Sequence, residues 1–421
     1  MPSSKLSHLA ETLIGSEIVK LGAEVKAKML QGEKIYNFTI GDFDSSIFPI
    51  PEALQNEIIE AYKTHHTTYP PAEGILALRE AVSAFILKRE GLQFGTDEIL
   101  IAAGGRPLIY AAYRAIVDKG DKVIYAVPSW NNNHYVHFTE GEHLLIESKK
   151  ENNFMPTAAE IKPHLKGSTL LALCSPLNPT GTTFTKAELE EICDIVIAEN
   201  KQRGPNEKKL YVIYDQIYWT LTYGTTEHFN PVSLNPAMRE YTVFIDGISK
   251  SFAATGVRVG WAMGPANLIN KMKAINSHVG AWAPMAEQKA TANFLKQIET
   301  VDNYFIHFKN ELAERLERIY AGFIRLKEEG FAVDAIAPQA AIYLTIKIDL
   351  VGKITDQDKC LNDQPAVTAF LLNEAKLAIV PFTAFGASAN STWYRLSVGT
   401  CKKEEIEEMM LQLKTSLQKL R

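Results

Sequence analysis

Short apolar runs that alternate with helical patterns occupy the first two thirds of the chain. These runs are rich in β-branched residues and continuously apolar: residues 98–104, 122–127, 169–174, 209–215, 242–249 and 257–264. Strands covered on both faces have this character, and helical segments such as 77–91 and 186–200 lie between several of the runs. The alternation predicts an α/β domain with a mainly parallel sheet.

The pattern changes beyond residue 284. It predicts a long helix over about 287–329, then a strand at 341–349, a helix near 364–376, a strand at 393–399 and a closing helix from residue 402. A chain of 421 residues is long for one core. We therefore expect an N-terminal segment that joins the small domain (1–50), a large domain (51–300) and a small α+β domain (301–421), with a surface loop at 200–209.

Composition narrows the class of protein. The 44 basic and 49 acidic residues give a net charge of −5 without long blocks of one sign, which argues against nucleic acid as a partner. The four cysteines show no C-x-x-C spacing, so we expect reduced thiols and no metal site. The sequence shows neither a secretory signal nor a long uncharged apolar stretch, which predicts a cytoplasmic protein with no membrane partner.

A glycine pair directly follows the first of these strands. Gly104 and Gly105 end the run and a helix begins at once, in "AAGGRPLIYAAYRAI". Glycines let a ligand approach the backbone closely, and free N–H groups at a helix start bind anions. A tight strand–helix turn would show the same residues, so this motif alone leaves both interpretations open.

Polar side chains follow two further strands. Asn178 lies in "CSPLNPTGT", and Asp215 ends a strand with Tyr218 three residues later. Turn formation explains the first motif equally well, and a carboxylate at a strand end is either a solvated cap or the partner of a cation. In an α/β fold, however, such strand ends share the edge where ligands bind.

The stretch "DGISKSFAATGVRVGWAMG" (246–264) places Lys250 after a strand and Arg258 a little further on. Such a lysine either reaches solvent along its stem or forms a Schiff base with a carbonyl cofactor. Pyridoxal 5'-phosphate is the cofactor that these residues fit. The amides of Gly105 and Arg106, together with Arg258, would hold its phosphate.

The remaining strand-end residues fit the cofactor ring. Trp130 would stack on the ring, while Asn178 and Tyr218 would bond its hydroxyl oxygen. Asp215 would keep the pyridine nitrogen protonated, and Lys250 would carry the Schiff base. Each residue alone is a weak signal, but the ordered set is specific.

The motifs resemble those of the fold-type I pyridoxal-phosphate aminotransferases of class I/II, the aspartate aminotransferase superfamily. The resemblance rests on "SPLNPTG", on D-x-x-Y at 215–218, on S-K-x-x-x-x-x-G-x-R-x-G from Ser249, and on "VPSWNNNH" around Trp130. It extends to "YPPAEGILALREA" (69–81) and "WYRLSVGT" (393–400). It implies a seven-stranded, mainly parallel sheet flanked by helices, plus a smaller α+β domain formed from both termini.

The same resemblance implies further site residues. Tyr69 would contact the cofactor phosphate of a neighbouring subunit, which implies a homodimer with shared active sites. Arg395 would bind the substrate α-carboxylate, although a structural salt bridge is the alternative for a buried guanidinium. Gly41 would line the substrate side of the site, together with Trp130 and Asn178.

One position departs from the family. Its members usually have serine or threonine three residues before the lysine, where this chain has Gly247. Ser249 remains directly before the lysine. Arg106 stands where the family often has lysine, and a surface helix residue is its alternative interpretation. Because position 247 is glycine, one side-chain contact to the phosphate is missing from the expected set.

These features predict an aminotransferase that moves an amino group from an L-amino acid to a 2-oxo acid. Aspartate, or a broad or aromatic set of amino acids, with 2-oxoglutarate would be the substrates; residues 15–22 and the loop after Trp130 are candidates for specificity. A β-eliminating C–S lyase of the same fold is the main alternative. A ligand-sensing module and a plain α/β scaffold are two others.

Overall fold

The computed structural model describes residues 6–15 and 17–421. Ser16, which belongs to the specificity candidate 15–22, and residues 1–5 of the N-terminus lie outside the described residues. The described α-helices are α1 (His8–Thr12), α2 (Glu17–Leu30), α3 (Glu52–Lys63), α4 (Leu76–Glu90), α5 (Gly105–Ile116), α6 (Asn132–Thr139), α7 (Ala158–Ile161), α8 (Lys186–Gln202), α9 (Pro231–Leu234), α10 (Ile248–Ser251), α11 (Ala266–Val279), α12 (Met285–Leu295), α13 (Ile298–Glu328), α14 (Gln364–Asn373) and α15 (Ile406–Gln418). Within this part of the chain, none of the helices has the length and apolar character needed to cross a bilayer.

The strands form three sheets. They are β1 (Tyr36–Asn37), β2 (Ile99–Ala102), β3 (Lys122–Val127), β4 (Glu142–Glu147), β5 (Ser168–Cys174), β6 (Tyr211–Asp215), β7 (Thr242–Gly247), β8 (Gly260–Met263), β9 (Val333–Ala335), β10 (Tyr343–Ile348), β11 (Leu377–Ala378), β12 (Val380–Pro381) and β13 (Trp393–Ser397). Short 3-10 turns lie between several of these elements.

The large sheet has seven strands in the order β2-β8-β7-β6-β5-β3-β4. All neighbours pair in parallel except β8, which is antiparallel to both β2 and β7. Successive residues of β5 enter different apolar layers, because Leu171 and Leu173 pack against one face and Leu170 and Ala172 against the other. The predicted fold class is therefore confirmed.

Three details differ from the expectations. Strand β4 was not predicted, because its sequence EHLLIE mixes charged residues into an edge strand. The long helix expected over 287–329 is two helices, α12 and α13, interrupted at Lys296 and Gln297. The strand expected over 242–249 ends at Gly247, so Lys250 lies on the single turn α10 rather than at a strand end.

The second sheet is antiparallel, with the order β12-β13-β10-β9. Its core includes Leu344, Leu396 and residues of α13 and α15 such as Leu312 and Leu413. Strand β1 pairs in parallel with β11, which joins the start of the chain to its last quarter. The division of the chain at residues 50 and 300 stays a prediction.

Candidate active site

A cavity of about 580 Å³ opens where the carboxyl ends of the large sheet's parallel strands meet the antiparallel sheet. Most of the predicted site residues line it: Gly41, Gly105, Arg106, Trp130, Asn178, Asp215, Tyr218, Ser249, Lys250, Arg258 and Arg395. Gly104 and Tyr69 do not. The fold thus brings residues from distant parts of the sequence to the strand-end edge of the sheet, as predicted for an α/β fold.

Lys250 points into this cavity from the turn α10. Its Nζ donates a hydrogen bond to the Gly41 carbonyl oxygen at 2.6 Å. Burial lowers the pKa of Lys250 to about 8; Asp42 opposes this, and the positive charges of Arg395, Arg106 and Arg258 add to it. A lysine in this state can act as a nucleophile or base near neutral pH.

Asp215 ends strand β6 at the floor of the cavity. Its Oδ1 accepts a hydrogen bond from the Ile217 N–H at 3.1 Å. Burial raises the pKa of Asp215 to about 6, and the hydrogen bond from Ile217 only partly offsets this. A carboxyl in such a place is stabilised as the anion when it meets a positively charged N–H group, which a protonated pyridine nitrogen supplies.

Arg258 and the start of α5 form an anion-binding corner. Gly104 has φ +87°, and a Cβ there would lie 2.3 Å from Nη2 of Arg258. This arginine donates to the carbonyl oxygens of Ala103 at 2.6 Å and Thr255 at 2.8 Å. The glycine is therefore needed for the guanidinium to lie against the helix start, where free N–H groups are also available to an anion.

Arg106 and Trp130 lie together at the mouth of the cavity. The Arg106 guanidinium carbon is 5.3 Å from the centre of the Trp130 ring, a cation–π distance. The Arg106 side chain is exposed. Its backbone amide and its side chain therefore face different parts of the site, the amide at the helix start and the guanidinium at the entrance.

Arg395 comes from strand β13 of the antiparallel sheet and is only 2% exposed. Its Nη1 donates to Asn178 Oδ1 at 3.2 Å and its Nη2 to the Thr39 carbonyl oxygen at 2.7 Å. Its Nε has no acceptor among the described residues. Because both acceptors are uncharged, Arg395 does not form the structural salt bridge that was the alternative. Its positive charge stays available to a carboxylate.

Gly247 is explained by backbone crowding between β7 and β8. A Cβ at Gly247 would lie 2.8 Å from the Gly260 Cα and the Val259 oxygen. A Cβ at Gly260 would in turn lie 2.6 Å from the carbonyl carbon of Gly104. A serine at position 247 would therefore require β8 to shift, whereas Ser249 lines the cavity.

Sequence reasoning missed several lining residues. Asp42 accepts a hydrogen bond from the Thr255 hydroxyl at 2.7 Å, and Tyr343 contacts the Tyr218 hydroxyl at 2.6 Å. Asp42 could have been found, because it adjoins Gly41 in the same motif. Tyr343 carries no local signal, since it begins an apolar strand of the other sheet.

A family model identifies the family of this chain. The model for class I and II aminotransferases matches residues 33–413. The chain belongs to the class I and II aminotransferases. Members of this family use pyridoxal 5'-phosphate, so the enzyme is a PLP-dependent transaminase, as predicted.

Individual relatives of this aminotransferase cover nearly its whole length. The aspartate aminotransferase of Bacillus sp. (strain YM-2) is 28% identical over 384 residues, which is 91% of this chain and 92% of the relative. The structure of the aspartate aminotransferase from Thermus thermophilus with maleate has a TM-score of 0.86 and 26% identity, and the match covers 98% of this chain and 100% of that one. That of Rhizobium meliloti, at 24% identity and a TM-score of 0.90, covers both chains fully and shows the fold alone. These relatives give no support to the C–S lyase alternative.

The residues of the aminotransferase's cavity fit the cofactor. Lys250, whose pKa is lowered, suits the cofactor aldehyde, and the carboxyl of Asp215 suits the pyridine nitrogen. The start of α5 at Gly105, together with the guanidinium of Arg258, suits the phosphate. Tyr69 lies apart from this set. It is 85% exposed and its ring packs edge-on against Trp282 at 5.4 Å.

Proposed function

We propose that this aminotransferase transfers the amino group of aspartate to 2-oxoglutarate. The observation that carries the proposal is the set of charged residues that line the cavity: besides Lys250, which would bind the cofactor, three guanidiniums and two carboxyls line it, those of Arg106, Arg258, Arg395, Asp42 and Asp215. The cofactor phosphate and the substrate α-carboxylate need one guanidinium each. The third suits the second carboxylate of a dicarboxylic substrate. The names of the aspartate aminotransferase relatives support the same donor.

Lys250 is the acid–base residue in this proposal. Bound pyridoxal phosphate supplies the electron sink for charge that develops at the substrate α-carbon. The amine of Lys250, which gives up its proton more readily than an ordinary lysine because burial lowers its pKa to about 8, would take the proton from the substrate α-carbon and pass it to the cofactor. Asp215 holds the proton of the ring nitrogen, while Tyr218 and Asn178 bind the ring oxygen.

The phosphate would be held at the start of α5. The amides of Gly105 and Arg106 and the guanidinium of Arg258 supply donors there, and Ser249 adds a hydroxyl. Gly104 makes the approach of Arg258 possible. The contact that the family usually takes from the residue at position 247 is absent from this set, because the backbone there has no space for a side chain.

Arg395 would clamp the α-carboxylate on the opposite side. Gly41 lines this part of the cavity, since a Cβ there would lie 3.4 Å from Nη1 of Arg395. Trp130 would stack on the ring, and the exposed side chain of Arg106 beside it would bind the distal carboxylate.

A panel of amino acids assayed against 2-oxoglutarate tests the substrate. We expect the highest kcat/KM for aspartate and glutamate. Arg106→Leu should lower kcat/KM for these dicarboxylic donors selectively, by on the order of 10- to 100-fold. Arg114→Leu, on the same helix but bonded to the Phe138 carbonyl, is the control and should change little. Faster turnover of aromatic donors would overturn aspartate while leaving the transaminase itself intact.

We also propose a cytoplasmic homodimer in which Tyr69 completes the partner's phosphate site. Its exposure and its distance from this chain's own cavity lining support that role. Mixing inactive Lys250→Ala protein with an inactive Tyr69→Ala variant under subunit exchange should restore one intact site per heterodimer. No recovery despite demonstrated exchange would contradict the shared site.

A further inference from the structure

Tyr343 contacts both halves of the site from strand β10. It is 2% exposed and lines the cavity. Its strand pairs antiparallel with β13, which places Thr345 opposite Arg395 and Tyr343 opposite Ser397. The backbone of Tyr343 is also crowded, because a Cβ at Gly181 would lie 2.4 Å from its carbonyl oxygen. The backbone of Tyr343 is therefore held in place.

The hydroxyl of Tyr343 faces the proposed cofactor ring site. It lies 2.6 Å from the Tyr218 hydroxyl, and the two rings pack edge to face at 5.5 Å. Either hydroxyl can be the donor. When Tyr218 donates its proton to the ring oxygen, Tyr343 must donate to Tyr218, and a hydroxyl that accepts a hydrogen bond becomes a stronger donor.

The ring of Tyr343 faces the proposed substrate site. The guanidinium carbon of Arg395 lies 4.8 Å from its centre, a cation–π contact in a buried place. A Cβ at Gly41 would lie 2.9 Å from the Tyr343 hydroxyl oxygen. The absence of a side chain at Gly41 thus leaves room for the tyrosine and the arginine together.

We propose that Tyr343 is a positioning residue that couples α-carboxylate binding at Arg395 to the tyrosine that bonds the cofactor ring. It touches both Arg395 and Tyr218. A shift of the guanidinium on substrate binding is transmitted through its ring to the hydroxyl pair. The inference rests on the proposed function, because it uses the roles given there to Arg395 and Tyr218.

The test uses the holoenzyme with maleate, an unreactive dicarboxylate, as the probe. Two quantities are measured: the maleate Kd, and the pH midpoint of the visible absorbance of the bound cofactor with and without maleate. Charged and titratable groups around the tyrosine pair are Arg395, Lys250, Asp42 and Cys174, and all of them are retained in the variants that change only tyrosines. Changes in the midpoint therefore report the pair itself.

Tyr343→Phe keeps the ring and removes the hydroxyl. We expect the midpoint without maleate to rise by about half to one pH unit, since Tyr218 becomes a weaker donor. The maleate Kd should change less than about twofold, because the cation–π contact remains. Maleate should shift the midpoint by about half as much as in the wild type. Tyr343→Leu should add a rise in the maleate Kd on the order of tenfold.

Tyr223→Phe is the matched control. Tyr223 is a buried tyrosine of the same core whose hydroxyl donates to the Ala341 carbonyl oxygen, and it does not line the cavity. Its loss should leave the midpoint and the maleate Kd unchanged. An unchanged midpoint in Tyr343→Phe, or a full maleate-induced shift there, would overturn the coupling.

Two further variants separate this inference from the proposed function. Tyr218→Phe combined with Tyr343→Phe should shift the midpoint less than the sum of the single changes, and additive shifts would contradict the coupling even if Tyr343→Leu fails to fold. Arg395→Leu tests the clamp directly. If that variant binds maleate like the wild type, the proposed function fails whatever Tyr343 does.

Discussion

The two sheets contribute to the active site in different ways. The large sheet supplies residues at the ends of its parallel strands, such as Asp215, or just beyond them, such as Lys250. The antiparallel sheet supplies Arg395 from the middle of strand β13 and Tyr343 from the first residue of β10. A polar side chain at the end of a parallel strand lies at the edge of the sheet, where ligands bind. A polar side chain inside a buried strand needs hydrogen-bond partners among its neighbours.

This difference separates two tasks. The edge of the large sheet carries the groups proposed for the cofactor, and the antiparallel sheet carries those proposed for the substrate α-carboxylate. Replacing residues of the first group should remove the cofactor signal. Replacing Arg395 should leave that signal and remove substrate binding.

Lys250→Ala gives the largest expected effect, on the large-sheet side of the comparison. Turnover should fall by at least about 10⁴-fold, because both the covalent anchor and the acid–base group are lost. The lysine-dependent visible absorbance should disappear while the far-UV circular dichroism stays. Lys309→Ala is the control, since burial also lowers the pKa of Lys309 but it lies on α13, away from the cavity lining. Normal turnover of Lys250→Ala would refute the assignment.

Arg395→Leu tests the antiparallel-sheet side. We expect transition-state binding to weaken by about 2–5 kcal/mol for every substrate, in both half-reactions, with the cofactor absorbance nearly unchanged. Arg315→Leu is the control, because Arg315 is also buried but bonds Glu311 at 2.9 Å. It should lower stability and leave KM alone. An Arg395→Leu defect confined to dicarboxylic substrates would mean that Arg395 binds the distal group instead.

Asp215→Asn tests the large-sheet side through the pH dependence of stability. The folded-state pKa of about 6 lies above the ordinary value of 3.8, so the fold favours the protonated acid, and this stabilisation is lost as pH rises from about 4 to 6. In cofactor-free protein the variant should therefore be more stable than the wild type by about 1–3 kcal/mol at pH 8, with a small difference at pH 4. Urea unfolding at both pH values measures this. Bound cofactor should reverse the order, and an equal gap at both pH values would exclude the buried carboxyl as its cause.

Gly247→Ser gives the smallest expected effect and tests the crowding behind the large-sheet edge. The new side chain should cost about 1–3 kcal/mol of unfolding free energy, because β8 must shift to make room. Gly22→Ala is the control. Apart from the chain neighbours and the backbone of its own helix, no atom of the described residues lies within 4 Å of its added Cβ, and within α2 alanine should stabilise by up to about 1 kcal/mol. A stable Gly247→Ser enzyme with tighter cofactor binding would show that the phosphate contact can be restored.

Local signals were enough to predict most of the large sheet. Strand β3 has the predicted bounds 122–127, because an apolar run between turn residues fixes both ends. The break between α12 and α13 was missed, since neither Lys296 nor Gln297 is a glycine or proline. Strand β4 was missed because one of its edges is exposed and polar residues are tolerated there.

Site residues were predictable where a polar side chain directly follows a predicted strand. Lys250, Asp215 and Asn178 were found in this way, and the cavity brings them together. Arg395 was found only through the family resemblance. Tyr343 was not found at all. Its importance depends on its contact with Tyr218, which is distant in sequence, and hydrophobic periodicity carries no information on such contacts.

Strand Tyr36–Asn37 pairs with Leu377–Ala378, far along the chain. On the ribosome the first of these strands emerges early and has no partner until most of the protein has been made. The large sheet ends with Met263, so its edge can form before Tyr343 and Arg395 are synthesised. A nascent chain therefore acquires the groups proposed to hold its cofactor before those proposed to recognise an amino acid.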